Sequence, residues 1–226
     1  MRLRHMTLMN KSIALAAVAA LALAAPVAAQ TARPGTVTAA SAALVTLEGA
    51  ERTQALSQIN AELNGIQRLQ GRFVQTGPDG SRATGTFYMQ RPGRLRFEYD
   101  APATMLIVAD GSVVALRDTA LRTTERTPLR STPLSLILGE RIDLERNARI
   151  IRVSRQDAWT LVTARDRAGQ TDGVISLKFN NGELREWDVV DATGARTNIR
   201  LSDITRPESF DRSLFRLEDI VTPRRR

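Results

Sequence analysis

The chain of 226 residues has no cysteine and a single histidine, His5. Lacking cysteine, it can form no disulfide, no thiolate metal site and no thiol nucleophile, and it has no N-terminal cysteine to carry a lipid. With His5 the only imidazole, Ser-His-Asp and Cys-His catalysis and histidine-based metal sites have no support beyond position 5. Carboxylate chemistry remains open, yet no Asp/Glu spacing singles out an acid–base pair. Lysine is almost absent: Lys11 and Lys178 are the only two. The basic residues are therefore nearly all arginine, scattered along the chain except for the terminal Pro-Arg-Arg-Arg. Aromatics make up only 4% of the residues, and no basic stripe carries interleaved aromatics, so nucleic acid is not an expected partner. The scattered arginines describe a solvated surface with a mild leaning toward anionic partners.

Long apolar runs are equally scarce. The one candidate, Ile13 to Ala25, is short and alanine-rich, follows Arg2, Arg4 and Lys11, and leads into Val27-Ala28-Ala29. A basic start, a short apolar stretch and small residues at the minus-three and minus-one positions describe an export signal cleaved after Ala29. The stretch is a poor membrane span. Three basic residues leave with it, so the net charge of +8 falls to about +5 in the mature chain. The expectation is an exported soluble protein with a loosely ordered start at 30–45 and one domain over 46–226.

What is present is a train of short alternating segments. Leu47, Leu56, Ile59, Leu63 and Ile66 are spaced at threes and fours or their multiples, which predicts an amphipathic helix over Thr46 to Leu69. Eleven strand-like segments follow between Gly71 and Ile204, separated by Pro78-Asp79-Gly80, Pro92-Gly93, Asp110-Gly111, Asp172-Gly173, Asn181-Gly182 and Thr193-Gly194. About ten or eleven strands joined by tight turns predict an antiparallel meander, which at this size curls into a barrel or half-barrel. One interruption, Ser131 to Leu144, reads as a short helix. Thr132 suits the cap, Pro133 the first turn, and Leu134, Leu136, Ile137 and Leu138 make it apolar on nearly every side. Such a helix plugs a barrel end or covers an apolar surface. Trp159 and Trp187 fall in the second half of the sheet and are expected to pack there.

Strand parity raises one anomaly. Phe87 and Met89 share a face, and Arg91 continues it; on the next strand Leu95, Phe97 and Tyr99 face inward while Arg94, Arg96 and Glu98 face water. Arg91 thus points at the apolar interior, where a guanidinium without acceptors costs several kcal/mol. Free carbonyls at the C-terminal end of the short helix would satisfy it; snorkelling to the rim or pairing with a carboxylate would also serve. Asp100, Asp110 and Glu98 remain candidates for a carboxylate hydrolase, though Asp110 also has the ordinary role of a turn residue before Gly111.

The order FVQT, GTFYMQRPGRLRFEY, MLIVADG and TPLSLILG resembles the periplasmic outer-membrane lipoprotein carrier family, LolA, from Leu63 to Leu144. The half from Arg149 onward matches only as generic strands. The resemblance implies a mainly β fold with some α: a half-open antiparallel barrel whose helical lid covers a cavity for the acyl chains of lipoproteins. It implies no covalent chemistry and no cofactor. The implied partners are triacylated lipoproteins, an inner-membrane lipoprotein-releasing ABC transporter, and an outer-membrane acceptor or the outer membrane itself, with the carrier a monomer. The implied cavity and lid residues are Phe87, Met89, Arg91, Leu95, Phe97, Tyr99, Leu134, Leu136, Ile137 and Leu138. Arg91 matches a latch that holds the lid by hydrogen bonds to its carbonyls. Phe97 stands where the family often has Trp, and Ser-Val-Val-Ala-Leu-Arg-Asp stands where it often has an aromatic-rich strand. A general lipid or glycolipid binder of the same fold and a structural envelope protein with a plugged barrel are the alternatives.

Overall fold

The computed structural model describes residues 42–167 and 173–217. The expected export signal, the terminal arginines and part of the Asp172-Gly173 turn lie outside them. Twelve strands form one antiparallel sheet, interleaved with three helices. In chain order they are β1 (Val45–Thr46), α1 (Gly49–Gly65), β2 (Arg68–Thr76), β3 (Arg82–Gln90), β4 (Arg94–Tyr99), β5 (Met105–Asp110), β6 (Val113–Asp118) and β7 (Thr123–Pro128). Then follow α2 (Ser135–Leu138), α3 (Leu144–Asn147), β8 (Ala148–Gln156), β9 (Trp159–Asp166), β10 (Val174–Asn180), β11 (Glu183–Val190) and β12 (Arg196–Thr205).

The spatial order β1-β8-β9-β10-β11-β12-β2-β3-β4-β5-β6-β7 is two meanders joined where β12 pairs with β2. Among the described residues β1 and β7 are the two edges, so the sheet is an open, half-closed barrel. Two-residue spacing decides which side chains enter it. The rungs Phe87↔Phe97 and Met89↔Leu95 place apolar side chains on the inner face, and Leu201↔Phe73 carries that face across the seam between the meanders. The link from β7 to β8 carries α2 and α3, so both short helices lie between the two halves in sequence.

The helix is shorter than the periodicity predicts. Its apolar stripe of Ala55, Leu56, Ile59 and Leu63 is buried. At the front, Val45 and Thr46 pair with Arg155 and Ser154, and the Leu47 N–H donates to the Val153 carbonyl at 2.8 Å. Leu47 is therefore buried as an extension of a twelfth, unforeseen strand rather than on the helix. At the back, Gly65 is the last helical residue, Ile66 is extended, and Arg68 and Leu69 already pair with β3. Ladder hydrogen bonds formed with distant strands outweigh a helical register that glycine weakens.

The short apolar helix is a single turn over Ser135–Leu138. Thr132 does not cap it: its hydroxyl donates back to the Leu129 carbonyl at 2.8 Å, and it is the Thr132 carbonyl that receives the Ser135 N–H. The helix ends at Gly139, which has no Cβ and an extended backbone there.

The outer face of β3–β5 is also less open than parity predicts. Arg96 points outward, but a closing segment crosses it. Phe210 stands edge-on to Tyr88 with ring centroids 5.9 Å apart, Phe215 of the 3-10 turn Arg212–Phe215 is buried, and Arg96 Nη1 donates to the Leu214 carbonyl at 3.0 Å. Arg68 Nε anchors the start of that segment through the Pro207 carbonyl at 3.0 Å. Val108, an outward residue of β5, is buried on the same side.

Candidate functional site

The inner face is lined by the side chains that parity selects. Phe87, Met89, Leu95 and Phe97 are at most 4% exposed, and Leu134, Leu136, Ile137 and Leu138 are at most 7% exposed, all in one continuous apolar cluster. Tyr99 is half-buried against that cluster, and its hydroxyl donates to Gln75 Oε1 at 2.6 Å. Burial pushes the Tyr99 hydroxyl pKa well up, so it remains a neutral donor. The sheet supplies the aromatic floor. Phe73 meets Phe97 at 4.7 Å and Tyr99 at 5.0 Å, and Phe97 meets Trp187 at 6.1 Å, each edge to face. Trp187 is buried there, whereas Trp159 is half-buried.

Arg91 sits at the end of β3 and is 6% exposed. Its guanidinium meets the ends of two helices at once. Nε and Nη2 donate to the Gly139 carbonyl at 2.9 and 2.7 Å, and Nη2 also reaches the Glu140 carbonyl at 3.0 Å. Nη1 donates to the Leu63 carbonyl and to the Ile66 carbonyl at 3.3 Å, and Nη2 lies 3.4 Å from Asn64 Oδ1. Apart from Asn64 Oδ1 these acceptors are backbone carbonyls at or just past the C-terminal ends of α1 and α2, where free carbonyls favour a cation. No carboxylate is among the acceptors. Burial lowers the Arg91 pKa from its ordinary value, which is high enough to leave the group charged.

The turn after Arg91 is fastened to the same helix. The Gly93 N–H donates to the Leu138 carbonyl at 2.7 Å. Gly93 is required here on two counts: its φ is +76°, and a Cβ would lie 2.6 Å from Gly111 Cα. The two turns that bracket β4 and β5 are thus pressed together beside α2.

Sequence reasoning leaves Arg91 a choice between the carbonyls at the end of the short helix, the rim and a carboxylate, and the structure gives it the Gly139 and Glu140 carbonyls. Sequence reasoning does not find the second set on α1, nor Asn60 and Asn64. Asn64 Oδ1 accepts the Ile142 N–H at 2.9 Å, Asn64 Nδ2 donates to the Ile142 carbonyl at 2.7 Å, and Asn60 Oδ1 accepts the Leu144 N–H at 3.0 Å. The signal was there in the sequence: two asparagines four apart, each next to a residue of the apolar stripe, Ile59 and Leu63.

The carboxylate candidates are dispersed into structural roles. Asp100 pairs with Arg72 and accepts from Thr84 at 2.6 Å. Asp110 Oδ1 closes its turn by accepting the N–H groups of Ser112 and Val113 at 2.8 and 2.9 Å. Glu98 pairs with Arg96 at 2.6 Å. Among the described residues no three His, Cys, Asp or Glu side chains are grouped to hold a metal, and no helix is long and apolar enough to cross a membrane.

Among the described residues a charge cluster around the buried Glu186 and Asp188 lies on the outer face of β10–β12. Lys178 pairs with Glu186 and, at 2.9 Å, with Asp188; Arg196 meets Asp188 at 2.7 Å and Arg200 meets Glu186 at 3.0 Å. Asn198 donates to both carboxylates at 2.8 Å. Burial acts to raise both acids, but these hydrogen bonds and charges outweigh it and hold both pKa values below the usual carboxylate range.

Comparison with known proteins gives a consistent result. The family model "Outer membrane lipoprotein carrier protein LolA" matches residues 64–218. An outer-membrane lipoprotein carrier protein of Dechloromonas aromatica (strain RCB) is 29% identical over 172 residues, covering 72% of this chain and 82% of the relative. One of Methylobacillus flagellatus is 32% identical over 157 residues, covering 66% of this chain and 76% of the relative. A solved LolA superfamily protein, NE2245 of Nitrosomonas europaea, aligns with a TM-score of 0.40 at 11% identity, over 72% of this chain and 97% of that one. Since the family match spans well over half of the chain and includes both Arg91 and α2, the chain belongs to the outer membrane lipoprotein carrier (LolA) family.

Proposed function

We propose that this protein is a periplasmic chaperone that takes the acyl chains of lipoproteins onto its apolar inner face and carries them from an inner-membrane release complex to the outer membrane. It acts without covalent chemistry, by opening and closing. The observation that carries the reading is the buried, charged Arg91, joined by hydrogen bonds to carbonyls at the ends of both α1 and α2. A group that serves only to pack a barrel end would be apolar, because burying a guanidinium stabilises little once its desolvation is counted. A charge that joins the ends of two separate helices is instead suited to a reversible latch.

The energetics explain why a carrier needs one. Each buried methylene contributes about 0.8 kcal/mol, so one acyl chain of about fifteen methylenes gains on the order of 12 kcal/mol. Unopposed, three chains would never be released. A closed state stabilised by the Arg91 hydrogen bonds competes with the ligand, since opening must break them. Arg91 therefore tunes release rather than uptake, while Phe87, Met89, Leu95, Phe97, Tyr99 and Leu134, Leu136, Ile137 and Leu138 supply the surface that the acyl chains meet.

The test is to add purified mature protein to spheroplasts or inner-membrane vesicles holding newly made triacylated lipoprotein, and to assay the supernatant for a soluble one-to-one complex. A complex supports the carrier. Lipid that co-purifies with the protein, without release of any lipoprotein, would instead identify a general lipid binder of this fold.

A further inference from the structure

The hydrogen bonds that Asn60 and Asn64 make to the 139–144 segment are made without Arg91. Asn64 uses the full capacity of its amide: Oδ1 accepts from Ile142 and from Arg91, and Nδ2 donates to the Ile142 carbonyl and to the Asn60 carbonyl at 2.7 Å. The paired bonds to Ile142 N–H and C=O imitate a rung of antiparallel sheet, made by a side chain. One helical turn earlier, Asn60 repeats half of it on Leu144. Beneath both, Ile142 and Leu144 are buried in the apolar cluster with Leu56, Ile59 and Leu63. The segment from Gly139 to Leu144 is thus fastened along α1 by polar and apolar contacts, while Leu138–Glu140 is joined to the β3–β4 turn by the Arg91 side chain and the Gly93 N–H, with Leu138 packed in the same apolar cluster as Met89 and Leu95.

We infer that Asn60 and Asn64 splice α1 and the 139–144 segment into one body, so that the lid opens as a unit rather than by α2 peeling away from α1. The inference rests on the latch reading for its function, but the splice itself is a separate physical claim. Asn60 and Asn64 are positioning residues: they touch no cargo, and they keep the two carbonyl sets at the spacing that one guanidinium can bridge. If α2 moved alone, reclosing would have to find Leu63 and Gly139 independently. A spliced lid returns both acceptor sets together.

The absence of cysteine makes the test direct, since introduced pairs are the only labelling sites. Ala61→Cys on α1, Arg141→Cys on the segment and Arg82→Cys on β3 all lie at exposed positions, and spin labels on pairs of them report distances within the lid and from lid to barrel. In the Arg91→Leu background both distances from position 82 should shift or broaden together, while the 61–141 distance stays as narrow as in the wild type. Adding Asn64→Leu should broaden the 61–141 distance. Broadening of 61–141 by Arg91→Leu alone, or a narrow 61–141 in the double variant, overturns the splice. If neither distance from position 82 responds to Arg91→Leu, the latch reading fails, and the splice is judged by amide exchange in the otherwise native protein. Asn64→Leu should then speed exchange at Ile142, and Asn60→Ala at Leu144, by about tenfold or more without affecting β10–β12. Asn60→Ala carries the test alone should Asn64→Leu not fold. Unchanged exchange at both amides removes the splice whatever the latch does.

Discussion

Replacing Arg91 with leucine should leave uptake of lipoprotein intact and slow its delivery. The variant keeps an apolar, similarly placed stem and deletes every guanidinium hydrogen bond to Gly139, Glu140, Leu63 and Ile66. Three of those bonds, at 2.7 to 3.0 Å, are well formed. At about 1.5–3 kcal/mol for each charged hydrogen bond the gross contribution is about 5–9 kcal/mol. Desolvation of a buried guanidinium offsets several kcal/mol of this, leaving a net preference for the closed state of about 2–4 kcal/mol. Losing it shifts the open-to-closed ratio by roughly 30- to 900-fold. Because ligand competes with closure, the variant should hold acyl chains tighter by a comparable factor. The assay compares two steps with one protein: release of lipoprotein from inner-membrane vesicles, and its transfer from the purified complex to outer-membrane vesicles. Wild-type release with strongly reduced transfer fits the argument, and Arg91→Lys should resemble Arg91→Leu because a single ammonium cannot bridge two helix ends. Transfer by Arg91→Leu at the wild-type rate would refute the latch.

Three further outcomes are expected. Glu186 and Asp188 have folded pKa values held below their ordinary ones, so their contribution is fully present above about pH 5.5 and is lost as the pH falls through the ordinary and then the lowered folded values. Urea melts of Glu186→Gln/Asp188→Asn should accordingly lose less stability than wild type between about pH 4.5 and pH 2.5, and parallel curves would contradict this. Gly85→Ala should be among the most damaging small substitutions in the sheet, because the new Cβ would lie 2.1 Å from the Glu98 carbonyl oxygen and 2.5 Å from the Phe73 ring. A loss of about 3 kcal/mol or more in urea unfolding is expected, and a neutral result would show that β3 and β4 separate easily. Acyl ligand should alter the emission of Trp187, whose ring meets Phe97 on the inner face, and Trp187→Phe should abolish most of that change. A full response surviving in Trp187→Phe would place the acyl chains elsewhere.

Most of the sheet is legible because a strand with one buried face must alternate. Phe87, Met89 and Arg91 share a side for the same reason that Leu95, Phe97 and Tyr99 do, and turn residues such as Asn181-Gly182 mark where the chain reverses. Alternation even exposes the anomaly of Arg91, since a charge in an apolar register stands out. It fails at β1, whose two residues are too short to carry a period, and at Arg96, whose outward side chain meets a segment nearly 120 residues later.

The sequence by itself determined the class of fold, the inward face, the apolar character of the lid and the inward direction of Arg91, all of which follow from periods of two and of 3.6 residues within short windows. Only the tertiary structure decided what Arg91 meets. The Leu63 and Gly139 carbonyls lie 28 and 48 residues from it in opposite directions along the chain. They converge because α1 and α2 end over the same sheet corner, and the Asn64 amide fixes their separation. A backbone carbonyl has the same chemistry in every residue, so no side-chain pattern can announce which ones will be left free at a helix end and brought within reach of one guanidinium.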